Sequence, residues 1–277
     1  MVRKLSDISS DMEISSSKEF LHRTYIRVSA EQDDERCWIT GMALLSPCKL
    51  VLTDSRNFCV KLVDIDSDCI INQLELKNYP LDVSAVTEFV CAVTIPVQRT
   101  IYFIKVAEDT LLMTSGLIVD GDCRGISCFG ENLVVAYSCP SKVQIMDMNG
   151  KILKTVIGSR KGLIFSEPYY VIANENYIFV SDQGRRAVIT LNWFGEVIHS
   201  YKCEGCPHGL TMLEDGFIFV SGLNIYTCNR GNVVKTALSD LNFPCAVCWC
   251  NANRKLYVSY HKGDKHSDDQ IQIFEKK

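Results

Sequence analysis

Short apolar runs separated by polar turns recur along most of the chain, and the densest example lies between Ser166 and Tyr201. Its four runs are Tyr169–Ala173, Tyr177–Ser181, Ala187–Leu191 and Glu196–Ser200. The gaps hold Asn174-Glu175-Asn176, Asp182-Gln183-Gly184-Arg185 and Trp193-Phe194-Gly195, all of them turn chemistry. Four short strands joined by short polar turns predict an antiparallel meander. Such a sheet is marginal alone, because both of its faces need cover.

The rest of the chain supplies that cover. An inner run begins at Met42, Val83, Ile126, Val171, Leu210 and Val247, at spacings of 37 to 45 residues. Pro80, Pro168, Pro207 and Pro244 each stand three positions before such a run. Proline fixes φ and lacks a donor, so it suits the entry to a strand. A second run follows each inner one: Leu50–Thr53, Phe89–Thr94, Leu133–Tyr137, Tyr177–Ser181, Phe217–Ser221 and Leu256–Ser259. A third covers Val60–Val63, Ile101–Ile104, Val143–Met146, Ala187–Leu191, Ile225–Cys228 and Ile271–Phe274. Six units of about forty residues, each a four-stranded sheet, predict an all-β, six-bladed β-propeller.

The last unit stops at Lys277 without a fourth run. Near the other end, Tyr25, Arg27 and Ser29 alternate with Ile26 and Val28, which reads as one strand. Thr24–Val28 is therefore expected to complete the final blade. That closes the ring and removes exposed sheet edges. Residues 1–18, rich in serine and charge, are expected to form a disordered arm, with a single propeller over 19–277.

Composition narrows the function more than the fold. Of the 277 residues 47% are hydrophobic and 22% charged, enough for a large core, and the net charge of −4 gives no electrostatic case for nucleic acid. There is no signal-type apolar segment near the start and no long apolar run elsewhere, so no membrane partner is expected and a reducing, cytoplasmic setting is. In that setting the 14 cysteines behave as small buried apolar residues. Two CxxC pairs, Cys203/Cys206 and Cys245/Cys248, with Cys250 and His208 nearby, leave zinc and redox pairing as open alternatives. Packing is the leading reading, with no metal and no cofactor expected.

The units carry a resemblance. Pro207-His208-Gly209-Leu210-Thr211 with Phe217–Ser221 is similar to the NHL repeat, as are Tyr177–Asp182, Arg186–Leu191, Val143–Asp147 and Ile271–Phe274. The match is specific in units three to five and degenerate in the others. NHL-type propellers sit at the C-terminus of tripartite-motif ubiquitin ligases. The resemblance therefore implies a non-catalytic scaffold that recruits substrates through one loop face, or one that binds RNA. The chain has no RING, B-box or heptad pattern of its own.

Candidate residues follow from both readings. Trp193 and Phe194, in a turn, with Tyr170 and His208, are candidates for protein binding. Arg160, Lys161, Arg185 and Arg186 are candidates for RNA binding, supported by Lys151 and Lys154. A hydrolase of the lactonase or esterase type would need acidic residues in the channel. The expected channel positions are Thr40, Leu81, Arg124, Tyr169, His208 and Cys245, which offer no oxygen-rich set for a hard cation and no small-molecule site. Trp38 and Trp249 are expected to pack between blades.

Overall fold

A computed structural model describes residues 19–159, 162–229, 234–261 and 268–277. The expected terminal arm, residues 1–18, lies outside them, as do Arg160 and Lys161. The first strand in sequence, β1 (Phe20–Arg27), belongs to the last blade. Blade 1 contains β2 (Ile39–Ser46), β3 (Lys49–Asp54), β4 (Cys59–Asp64) and β5 (Cys69–Glu75). Blade 2 contains β6 (Val83–Thr87), β7 (Val90–Ile95), β8 (Thr100–Ala107) and β9 (Thr110–Ile118). Blade 3 contains β10 (Cys123–Phe129), β11 (Asn132–Ser138), β12 (Ser141–Asp147) and β13 (Ile152–Val156). A small hairpin, β14 (Gly158–Ser159) with β15 (Gly162–Leu163), precedes blade 4.

Blade 4 contains β16 (Pro168–Ala173), β17 (Tyr177–Asp182), β18 (Ala187–Asn192) and β19 (Val197–Lys202). Blade 5 contains β20 (Pro207–Leu213), β21 (Gly216–Ser221), β22 (Asn224–Asn229) and β23 (Val234–Leu238). Blade 6 contains β24 (Pro244–Cys250), β25 (Lys255–Tyr260) and β26 (Gln270–Lys276), with β1 as its outer strand. Every neighbouring pair within a blade is antiparallel. The architecture is the six-bladed propeller that the spacing of apolar runs predicts. No helix among the described residues is long and apolar enough to cross a membrane.

Ring closure uses more chain than Thr24–Val28. β1 pairs with β26 from Phe20↔Lys276 to Arg27↔Gln270, with an irregularity between His22 and Thr24. Val28 lies just beyond the strand and still donates its N–H to Asp269 O at 2.9 Å. Phe20, Ile26 and Val28 are buried while Tyr25 is 53% exposed, the alternation expected of a strand with one covered face.

Two devices hold the blades to one another. The second strand of a blade ends near a hydroxyl residue that bridges to the next blade's inner strand. Thr53 Oγ1 donates to Leu81 O at 3.0 Å, Thr94 Oγ1 to Arg124 O at 2.6 Å and Ser259 Oγ to Ile39 O at 2.8 Å. Two of these hydroxyls also accept from their own inner strand, from Asp82 N and from Ala246 N. The second device is close approach. A Cβ on Gly125 would fall 2.6 Å from Tyr170 Cα, so blades 3 and 4 meet backbone to backbone only because a glycine stands there.

The polar connection between β25 and β26 of blade 6, too polar by sequence for anything but a surface loop, packs at both of its ends. Residues 262–267 lie outside the described set. His261 stacks on Trp38 at 4.4 Å, and Asp269 Oδ1 accepts from Cys37 N at 3.0 Å. These contacts tie the last blade to the connector leading into the first. Trp249 lies against Phe20 of its own blade and donates its backbone N–H to Thr211 Oγ1 of blade 5.

Replacing Gly125 by alanine is expected to destabilise the chain by about 1–3 kcal/mol, because backbone on both sides has to yield. Urea unfolding measures it, and an unchanged midpoint would contradict the close-approach reading.

Candidate functional site

The six inner strands line a central channel with a cavity of about 290 Å³. All six start at one face, here the entry face, which also carries the turns between second and third strands. The opposite, exit face carries the remaining turns. Within the channel the lining residues include Thr40, Asp82, Ser84, Ser127, Tyr170 and Thr211. Of the six channel positions expected from sequence only Thr40 is among the lining residues: Asp82, Tyr170, Gly209 and Ala246 line the channel where Leu81, Tyr169, His208 and Cys245 were expected, and Ile126 where Arg124 was. Asp82 is the single carboxylate among the lining residues, and sequence reasoning missed it because the repeat was counted from its aliphatic neighbour.

Asp82 is structural in its bonding. One carboxylate oxygen accepts from its neighbour Val83 N and the other from Ile126 N of blade 3, both at 2.9 Å. Burial pushes its carboxyl up to about 7, and the two N–H donors, which favour the ionised form, only partly offset that. Tyr170 is buried, and its hydroxyl donates across the channel to Thr40 O at 2.8 Å. It is thus a strut and not the exposed binding aromatic that the sequence suggested. Arg124 lies over the Tyr169 ring at 5.3 Å. His208 stands near the entry mouth, with Nδ1 3.3 Å from Gln183 Nε2, and burial lowers its pKa so that the neutral ring prevails.

The exit face presents a different chemistry. β18 ends at Asn192, whose Oδ1 accepts from Phe194 N and Glu196 N at 3.0 Å each. Gly195 takes a positive φ of 78°, which closes the turn. Phe194 is 77% exposed at its tip. Trp193 is partly buried, and its Nε1 donates to Asn174 O at 3.0 Å, so it supports the turn more than it offers a surface. Phe129 lies 6.0 Å from the Trp193 ring, and Tyr177 and Phe89 are exposed on the same face. Sequence reasoning missed these three because an aromatic residue at a strand end reads as core. Their position beside short turns was the signal available.

The basic candidates separate. Arg185 and Arg186 sit in the turn before β18, on the entry face, whereas Trp193 follows that strand on the exit face. A six-residue strand is about 20 Å long, so stacking aromatic and basic turn do not share a surface. Lys151 lies in the exit-face turn of blade 3, again away from Arg185.

The cysteines behave mainly as packing residues. Cys245, Cys248 and Cys250 are buried, Cys203 is partly buried and Cys206 is exposed, and all are free thiols. Neither CxxC pair joins His208 in a group with metal-ligand spacing among the described residues. Among the described residues the one group with that spacing is Asp33, Asp54 and Cys59, and the Lys61 ammonium already lies against Asp33 and Asp54. The fully buried Lys61 Nζ lies 2.6 Å from Asp33 Oδ2, 2.8 Å from Asp54 Oδ2, 2.9 Å from Val28 O and 3.2 Å from Cys37 Sγ. Burial alone would lower the lysine and raise Asp54, but the Lys61–Asp54 attraction and the hydrogen bonds outweigh it. The result is an ammonium held above its usual range and an Asp54 carboxyl held below. The ammonium does the work of a cation here, and it fastens the connector after β1 to blade 1.

No protein-family model matches the chain, and no curated protein matches it. Solved structures do. A structural-genomics protein of unknown function from Bacteroides thetaiotaomicron aligns with a TM-score of 0.71 and 14% identity over 92% of this chain and 72% of its own. A catalytically inactive virginiamycin B lyase from Staphylococcus aureus with quinupristin aligns with a TM-score of 0.65 and 13% identity, over 93% and 99%. A streptogramin B lyase gives 0.64 and 14%, over 95% and 90%. At such identities the likeness is one of fold, and it supports the propeller without reaching an NHL or tripartite-motif family.

Two outcomes follow from the buried charges. Folded Asp82 keeps its proton where the unfolded chain has lost it, so stability falls as pH rises from about 4, the ordinary carboxylate value, towards about 7. In Asp82→Asn that fall should be absent from a pH series of unfolding midpoints. A slope identical to the parent chain would overturn the reading. Lys61→Met leaves Asp33 and Asp54 buried without a counter-charge and should cost about 3–5 kcal/mol at neutral pH. Asp54, held below its usual range, contributes stability above the ordinary carboxylate pKa that is lost as pH falls through the folded value, so the difference between parent and variant should shrink in acid. Denaturant titration at two pH values checks both statements.

Proposed function

We propose that the chain is a protein-recognition platform whose exit face, on blades 2 to 4, carries the binding surface. The observation that supports it most is Phe194, largely exposed on a turn that Asn192 and Trp193 hold rigid. Rigid exposed aromatics are the residues that dominate binding energy at interfaces, because they bury much area and lose little freedom. Phe129, Tyr177 and Phe89 extend the same surface. The more specific form, substrate recognition for a ubiquitin ligase of the tripartite-motif type, draws on the NHL-like residues of units three to five.

A second reading starts from the lyases among the fold neighbours and the titratable Asp82 in the channel. The bonding of Asp82 weighs against it. Both oxygens are engaged by backbone donors, one of which joins blade 2 to blade 3. A carboxyl fixed in this way serves packing before proton transfer.

Affinity capture with the parent chain and with Phe194→Ser tests the platform reading. The proteins retained by the parent should fall at least about tenfold on the variant, as truncation of a central aromatic anchor does. Arg185→Ala should retain them. Recovery of salt-released RNA alone, or equal retention by Phe194→Ser, would overturn the proposal.

A further inference from the structure

The turn between the first and second strands of a blade stands at the inner rim of the exit face. In four consecutive blades that turn holds an exposed carboxylate: Glu88 in blade 2, Glu131 in blade 3, Glu175 in blade 4, and Glu214 with Asp215 in blade 5. In blades 2 to 4 an exposed aromatic residue stands within two positions of the acid, as Phe89, Phe129 and Tyr177. The pattern stops at blades 1 and 6, where Lys49 follows the equivalent turn and Arg254 lies within it. Lys49 is itself paired with Asp64 at 3.2 Å and Asp109 at 2.8 Å.

Local hydrogen bonds hold these turns in shape. Asn174 Oδ1 accepts from Asn176 N at 2.9 Å and Tyr177 N at 2.8 Å, and Asn176 Nδ2 donates to Glu175 Oε1 at 3.0 Å. Thr87 Oγ1 accepts from Phe89 N at 3.1 Å, and Gly130 turns the chain with a φ of 58°. Among the described residues no ion pair engages Glu88, Glu131, Glu175 or Asp215. Lys105, Lys151 and Lys235 of the same blades lie on a third strand, an outer turn and an outer strand, farther from the channel. Nor do the rim carboxylates gather at metal-ligand spacing among the described residues. They are separate anionic points, each set beside an apolar ring.

We infer that the partner of the exit face is a basic protein segment, whose arginine or lysine side chains cross the rim aromatics and end at the carboxylates. This rests on the platform reading proposed above and adds the chemistry of what the platform binds. A guanidinium or ammonium is attracted to an aromatic face, and a carboxylate beside the ring supplies the complementary charge. Phe194 adds an apolar contact on the same face. A neutral apolar partner would cover the rings but strip water from acids that gain no counter-charge. Phosphate would be repelled, so nucleic acid does not fit this rim.

Fluorescence anisotropy with a labelled nona-arginine peptide at about 0.15 M salt tests this. The parent chain should bind it, and binding should weaken as salt rises. The triple variant Glu88→Gln, Glu131→Gln, Glu175→Gln should bind at least about tenfold more weakly, with a shallower salt dependence. A control triple on the entry face, Glu35→Gln, Glu167→Gln, Glu204→Gln, makes the same change in net charge and should stay within about twofold of the parent. No binding by the parent, equal binding by the exit-face triple, or an equal loss in the entry-face triple would each overturn the inference. Affinity capture separates this failure from that of the platform. Proteins lost on Phe194→Ser but kept by the exit-face triple would leave the platform standing and remove the basic partner, whereas proteins kept by both variants would remove both.

Discussion

Each blade of the ring is covered by its two neighbours, so the pairing of β1 with β26 carries more than its own hydrogen bonds. Without it blade 6 would be a three-stranded sheet with an apolar edge, and the covers of blades 5 and 1 would loosen with it. The chain supports this junction from several directions. Ile26 and Val28 enter the same buried cluster as Ile39, Leu50 and Tyr257, which belong to blades 1 and 6. Lys61 reaches from β4 to Val28 O and Asp33, beyond the end of β1. Trp38 and His261 stack across the same seam. A buried lysine between two carboxylates is no general stabiliser, since desolvation offsets most of the attraction. Its value here is placement: the pair is satisfied only when the connector lies in one position.

The interior of the ring follows from the same need to join blades without side chains in the way. Backbone approaches backbone at Gly125, and hydroxyls at Thr53, Thr94 and Ser259 carry hydrogen bonds from one blade to the next. Asp82 and Tyr170 serve the channel in a similar manner, the first to blade 3 and the second across to blade 1. Little polar chemistry in the channel remains uncommitted. Function is therefore placed most economically on the turns, which the rigid ring holds in fixed positions. The exit-face aromatics form a surface of that kind.

Much of this was legible beforehand. The spacing of Met42, Val83, Ile126, Val171, Leu210 and Val247 located all six inner strands, and the missing fourth run of the last unit located the closing strand. Less legible was anything that depends on which way a side chain turns. Tyr170 and Trp193 are aromatic residues near turns, and sequence offered them equally as surface. One is buried in the channel and the other half-buried under Phe194, because a strand's alternation fixes the face and only the bulge fixes the register. Register shifts fall within most inner-strand pairs, as between Pro168 and Tyr170, whereas Asp82 was hidden because the repeat was counted from its aliphatic neighbours Leu81 and Val83. The separation of Arg185 from Trp193 was likewise invisible until β18 was known to run between the two faces.

The most direct test of the closure is thermal unfolding of two shortened chains, one lacking residues 1–18 and one lacking residues 1–27. The first keeps every strand of the ring and should unfold in one cooperative transition at the temperature of the full chain. The second removes β1 and should show a markedly lowered or broadened transition, with the amides of Gln270–Lys276 losing protection. Retention of the full-length transition without β1 would contradict the account.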